Sequence, residues 1–170
     1  MALAANLKAG TLVADIGDAV YSKNPSETLK TYGLGSCVGV CIIDPASGAT
    51  GMLHVQLPES SINPAMAQTR PFAFADTGLP KLVDEMLRLG ASPRRPTWRV
   101  KIAGGAATLN SSPRFDIGKR NQLAVKKVLW KLGMAPIAEH VGGNLARTLT
   151  MRVGSPDVEI FLGHKERIVI

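Results

Sequence analysis

The sequence predicts an α/β fold, bordering on α+β, in which a mixed and largely antiparallel sheet is layered with helices. Three observations carry that expectation. Short extended segments rich in β-branched residues recur along the chain, two amphipathic helical stretches fall between them, and one turn-rich connection reads as a β-hairpin.

Leu12 to Ile16, Leu29 to Tyr32 and Val38 to Ile43 are the first extended segments. The last is apolar on both alternating faces, as expected of a central strand covered on both sides. Asp44-Pro45-Ala46-Ser47-Gly48 is turn chemistry, and Met52 to Leu57 resumes the extended pattern until Pro58 ends it. Asn63 to Pro71 reads as an exposed loop. A helix follows from Leu79 to Leu89, with Asp76 or Thr77 as cap, Pro80 in its first turn, Gly90 beyond its end, and Leu79, Leu82, Val83 and Met86 facing inward. Trp98 to Ile102 is another strand, closed by Gly104-Gly105. The second helix runs from Gly118 to Leu132, with Asp116 at its start and Gly133 as its stop. Ile137 to Val141, Thr148 to Val153 and Val158 to Leu162 complete the strands.

At 170 residues and 45% hydrophobic content the chain can bury one sizeable core, so one domain over residues 1–170 is expected, with residues 1–10 flexible. The longest apolar runs fall far short of the roughly 20 residues needed to cross a bilayer. Residues 1–10 lack the apolar region and cleavage site of a secretory signal, which predicts a cytoplasmic protein without membrane insertion. The formal net charge of +7 allows a nucleic acid, an anionic surface or an acidic protein as partner. With only 5% aromatic residues, and none interleaved with basic ones to stack bases, nucleic acid is not expected. Gly33-x-Gly35 lacks the third glycine of a dinucleotide fingerprint, and His54, His140 and His164 are widely separated, so neither a cofactor nor a metal is expected.

The chemistry concentrates in Thr31-Tyr32-Gly33-Leu34-Gly35-Ser36-Cys37, where small residues form a turn at the mouth of the buried strand. Backbone amides around Gly35 and Ser36 could converge there on a thiolate or an oxyanion. A thiol nucleophile needs a base, and His54 lies in the next extended segment. A four-residue loop from Asp44 to Ser47 would set Cys37 directly across from His54, with Cβ atoms about 5 Å apart. A symmetric seven-residue loop would instead pair Val40 with His54 and turn Cys37 to the other face. The sequence is compatible with both. Thr31 could orient the imidazole by accepting a hydrogen bond from the ring nitrogen remote from sulfur. Cys41 is read as core, since free cysteine is among the most buried residue types and the two thiols would stand roughly 13 Å apart on one strand.

These residues resemble the CheD family, the chemoreceptor glutamine deamidases of bacterial chemotaxis. The resemblance covers Thr31, Gly33 to Val40, Asp44-Pro45 and His54 with Leu57-Pro58. It continues through Lys101 to Ala106, Ile117-Gly118-x-Arg120-Asn121, and Val141 to Asn144 with Arg147-Thr148. It departs at Tyr32, Leu53 and His140, and the tail after Val153 matches poorly. The resemblance implies a layered α/β/α sandwich, with Cys37 as nucleophile, His54 as base and Thr31 as third member. It further implies conversion of receptor glutamines to glutamate through a thioester, with glutamyl methylesterase activity as a companion. The implied partners are chemoreceptor cytoplasmic helices and, for some members, the phosphatase CheC. A catalytically silent adaptor for CheC or receptors is the alternative the resemblance allows.

Overall fold

The computed structural model describes residues 10–107, 114–163 and 165–170. His164 and the segment expected to be flexible, apart from Gly10, lie outside the described residues. The described strands form two five-stranded sheets. The first is ordered β1 (Thr11–Val13), β3 (Thr28–Leu34), β8 (Arg147–Arg152), β9 (Val158–Leu162), β10 (Glu166–Val169). The second is ordered β2 (Ala19–Ser22), β5 (Thr50–Val55), β4 (Val38–Ile43), β6 (Arg99–Gly104), β7 (Pro136–Val141). Only β1 with β3 and β6 with β7 pair in parallel; the other neighbours are antiparallel.

Burial explains the layers. Every residue of β4 is buried. Its Val38, Val40 and Ile42 pack under α2 (Ala75–Arg88) and α3 (Ile117–Lys131), against Leu79, Leu82, Met86, Val125 and Leu129. Its Cys41 and Ile43 pack, with Met52, against Leu29, Leu149, Met151 and Ile160 of the first sheet. The order is therefore helices, sheet, sheet. The α/β class and the mixed, largely antiparallel pairing are as expected, but the third layer is a sheet where α/β/α layering places helices. The cause lies in β8 and β9, which alternate buried with more exposed residues and so present one apolar face that must be covered.

Three local features differ from the sequence reading. Residues read as a loop form a short helix, α1 (Pro64–Thr69): the Asn63 side chain accepts from the Met66 N–H, and Pro64 fits the first helical position. α2 begins at Ala75, so Pro80 sits inside it, and Asp76 is not its cap but accepts from the Ser60 N–H and hydroxyl. The short β2 and β10 add one strand to each sheet. α3 keeps its expected span within a residue, capped by Asp116, which accepts from the Lys119 N–H.

Candidate active site

The segment Gly33 to Cys37 carries the chain from β3 in one sheet to β4 in the other. Gly33 holds φ at 66°, in the left-handed region, and the β3–β8 register is irregular between Thr31 and Leu34. The carbonyls of the turn are each pinned: Gly35 O accepts from the Ala106 N–H at 2.8 Å, Cys37 O from the Gly105 N–H at 2.8 Å, and Ser36 O from Asn121 Nδ2 at 3.0 Å. The Gly35 N–H is spent on Gly33 O at 3.0 Å. That removes Gly35 from the expected oxyanion donors. The amides of Ser36 and Cys37 have no backbone partner among the described residues, and the Cys37 amide bears on its own sulfur.

Glycines make this close approach possible. A Cβ on Gly104, where φ is 115°, would stand 2.3 Å from Cys37 O, and one on Gly118 would stand 2.4 Å from Ala106 O. The Gly104-Gly105 pair and the start of α3 are thus shaped around the cysteine turn.

The hairpin register is neither of the two the sequence allowed. Ile43 pairs with Thr50 and Gly39 with His54, so the connection holds six residues. Continued outward, this register sets Cys37 opposite Gln56 and one step diagonal to His54. Side-chain alternation keeps both on the face toward the first sheet, where Cys37 packs with the Leu34 and Leu149 cluster. Diagonal neighbours of this kind have Cβ atoms somewhat under about 7–8 Å apart.

His54 is fully buried. Its backbone is held by Asp18 O and the Gly17 N–H at 2.9 and 3.0 Å. Its Nδ1 lies 2.7 Å from Thr31 Oγ1, which lies 2.7 Å from Ala14 O. These two distances fix the tautomer. A carbonyl only accepts, so the single Thr31 hydroxyl proton goes to Ala14 O, and Thr31 Oγ1 must accept from Nδ1–H. Nε2 then carries the lone pair. Among the described residues it is buried without a hydrogen-bond partner.

Burial sets the charges. It pulls the His54 imidazole down to about 4, opposed only in part by Asp15, and pushes the Cys37 thiol up against the lowering effect of its own amide. At neutral pH the resting pair is a neutral imidazole and a neutral thiol. Cys41 is buried, its thiol pushed up to about 12 by desolvation, and belongs to the core between the sheets.

Asn121 was not singled out from the sequence. It is fully buried, and its Nδ2 donates to both Ser36 O and Gln56 O at 3.0 Å, clamping the cysteine turn to the strand end that follows His54. The only hint was its place in Ile117-Gly118-x-Arg120-Asn121, since its partners lie 85 and 65 residues away. Arg147 is likewise buried. Its Nε donates to His140 Nδ1, Nη1 to Leu145 O and Nη2 to Gly142 O, which ties down the Gly142 to Leu145 loop at the same end of the sandwich.

Among the described residues no group of three His, Cys, Asp or Glu could hold a metal, and no helix is long and apolar enough to cross a membrane. The structure thus places a hydroxyl-oriented imidazole and a half-buried thiol at diagonal positions of two adjacent segments. Residues 56–161 match the family described as CheD chemotactic sensory transduction, and the chain belongs to the CheD family. A protein of Syntrophotalea carbinolica named probable chemoreceptor glutamine deamidase CheD is 48% identical over 149 residues, spanning 88% of this chain and 92% of that relative. Relatives of the same name from Solibacter usitatus and Desulforamulus reducens are 44% and 40% identical, covering 85% and 91% of this chain and 84% and 93% of theirs. Stretches of this length necessarily include positions 31 to 54. A solved structure, the Bacillus licheniformis hypothetical protein YfiH, shares 15% identity over 72% of this chain and 49% of its own, with a TM-score of 0.48.

Proposed function

We propose that this chain is a cytoplasmic protein-glutamine deamidase of bacterial chemotaxis that acts on chemoreceptors through Cys37, with His54 as base and Thr31 as its orienting partner. The observation that carries this reading is the proton count at Thr31, which leaves His54 Nε2 unprotonated and, among the described residues, unpartnered. Membership in a family whose relatives bear the name chemoreceptor glutamine deamidase supplies the substrate class.

Because both groups rest neutral, proton transfer accompanies attack. His54 Nε2 takes the Cys37 thiol proton as Sγ bonds to the carboxamide carbon of a substrate glutamine, and the oxygen becomes an oxyanion facing the Ser36 and Cys37 amides. The imidazolium returns that proton to the departing nitrogen, ammonia leaves, and a thioester remains. Water gives a proton to Nε2 and attacks the thioester, and Sγ leaves and is reprotonated, yielding glutamate. A glutamyl methyl ester would enter at the same thioester with methanol as leaving group.

A folded protein substrate suits the surroundings. Tyr32, Phe115 and Leu145 are exposed on segments that border the cysteine turn, and the net charge of +7 favours the Glu-rich helices of a receptor. CheC is a further candidate partner, and one domain over residues 1–170 would carry the activity. The test is mass spectrometry of glutamine-containing receptor peptides. A gain of about one dalton at glutamine, lost in Cys37→Ala, supports the reading; turnover that survives Cys37→Ala overturns it.

A further inference from the structure

A cleft of about 460 Å³ lies away from the cysteine turn, lined by Pro96, Trp98, Trp130, Met134 and Ile137. Its walls come from the segment entering β6, the C-terminal end of α3 and the start of the edge strand β7. Trp98 and Met134 are buried and form its floor, while Trp130 is 79% and Ile137 60% exposed at its rim. Trp130 is one of only two tryptophans in the chain. An indole left in water beside an apolar cleft is the usual anatomy of an interaction surface. The nine-residue step along α3 from Asn121 to Trp130 puts this cleft about 14 Å along the helix from the cysteine clamp.

Charge selects the occupant. The segments that supply the walls bear Arg94, Arg95, Arg99 and Lys126 against one carboxylate, Glu139, while Lys127 and Lys131 line a neighbouring cleft with Glu59 and Asp76. Glu139 is already paired with Lys126 at 2.8 Å. The segments that border this apolar cleft thus carry an excess of cations, three of them arginines. A second copy would bring the same cations face to face, whereas an acidic partner would neutralise them. The edge of β7 is blunted for strand addition by Pro136, which has no N–H. Apolar side chains at helical spacing are what the cleft can take.

We propose that this cleft is a second docking surface, separate from the Cys37 site, for an acidic amphipathic helix of a partner protein. It holds whether or not Cys37 is a nucleophile. The test uses the full chain and two synthetic peptides with leucines at i, i+3, i+4 and i+7, one with glutamates on its polar face and the other with lysines. Tryptophan emission is the readout, because Trp98 is already buried and Trp130 is exposed. The glutamate peptide should shift the emission to the blue saturably, and its Kd should rise about threefold or more as salt goes from 0.1 to 0.5 M. Trp130→Ala, followed by peptide anisotropy, and Ile137→Ser should each weaken binding about tenfold, while glutamine turnover on short peptides stays unchanged. Equal binding of the lysine peptide, or no binding of either at millimolar concentration, overturns the proposal. So does sedimentation that shows the free chain self-associating through this face, with Trp130→Ala restoring the monomer.

Discussion

Replacing Thr31 with valine removes one oxygen at nearly constant shape, and that oxygen joins His54 Nδ1 to Ala14 O through two contacts of 2.7 Å. Without it, the Nδ1–H is left buried with no acceptor, and Ala14 O loses its donor. A buried donor stripped of its partner costs about 1–3 kcal/mol. The imidazole avoids that cost by moving its proton to Nε2 or by turning, and either change spoils the base. The same 1–3 kcal/mol, charged against the transition state, lowers kcat about 5- to 150-fold. Thr31→Ser keeps the hydroxyl and should recover most of the activity. The assay is ammonia release from a glutamine-containing receptor peptide, with thermal unfolding of each variant alongside. Thr31→Val turning over within about threefold of the parent at matched stability would refute the argument from proton count.

Three further predictions rest on the same geometry. His54 has a folded pKa of about 4 against an ordinary 6.5, so the unfolded chain binds the extra proton first as pH falls. Its contribution to stability is complete above about pH 6.5 and is lost progressively toward pH 4, at most roughly 3 kcal/mol, which urea titrations from pH 7 to 4.5 on the parent and His54→Gln will show. For the same reason the acid limb of kcat/KM should fall near pH 4 rather than 6.5. Gly104→Ala places a Cβ 2.3 Å from Cys37 O at a φ of 115°. It should cost about 2–4 kcal/mol in chemical denaturation and depress turnover more than KM, because the strain falls on the cysteine turn.

Local chemistry made much of this molecule legible from its residues. The β-branched run at Val38 to Ile43 gave a buried central strand, and Asp116 with Gly133 bounded α3. Thr31 was read as the partner of the histidine nitrogen remote from sulfur, and the structure brings Thr31 and His54 Nδ1 together. What escaped depends on contacts between distant segments. The hairpin register came out between the two options because Asp44 shapes a six-residue connection, with its carboxylate bonded to Ser47, the Ala46 N–H and the distant Ser92 N–H. The second sheet escaped because β8 and β9 carry one-sided patterns that specify an apolar face without naming what covers it. Asn121 escaped because its work is done across two other segments, one of them the cysteine turn.

A covalent bond to substrate at Cys37 is the step on which the proposed deamidation depends. The most direct measurement is the intact mass of the protein acid-quenched during turnover of a glutamine peptide, followed by proteolytic mapping of any adduct. The expected adduct equals the peptide less ammonia, is borne by the fragment containing Cys37, is labile to hydroxylamine and is absent from Cys37→Ala. Glutamate product forming at an undiminished rate in Cys37→Ala, with no adduct on the parent protein, would contradict it.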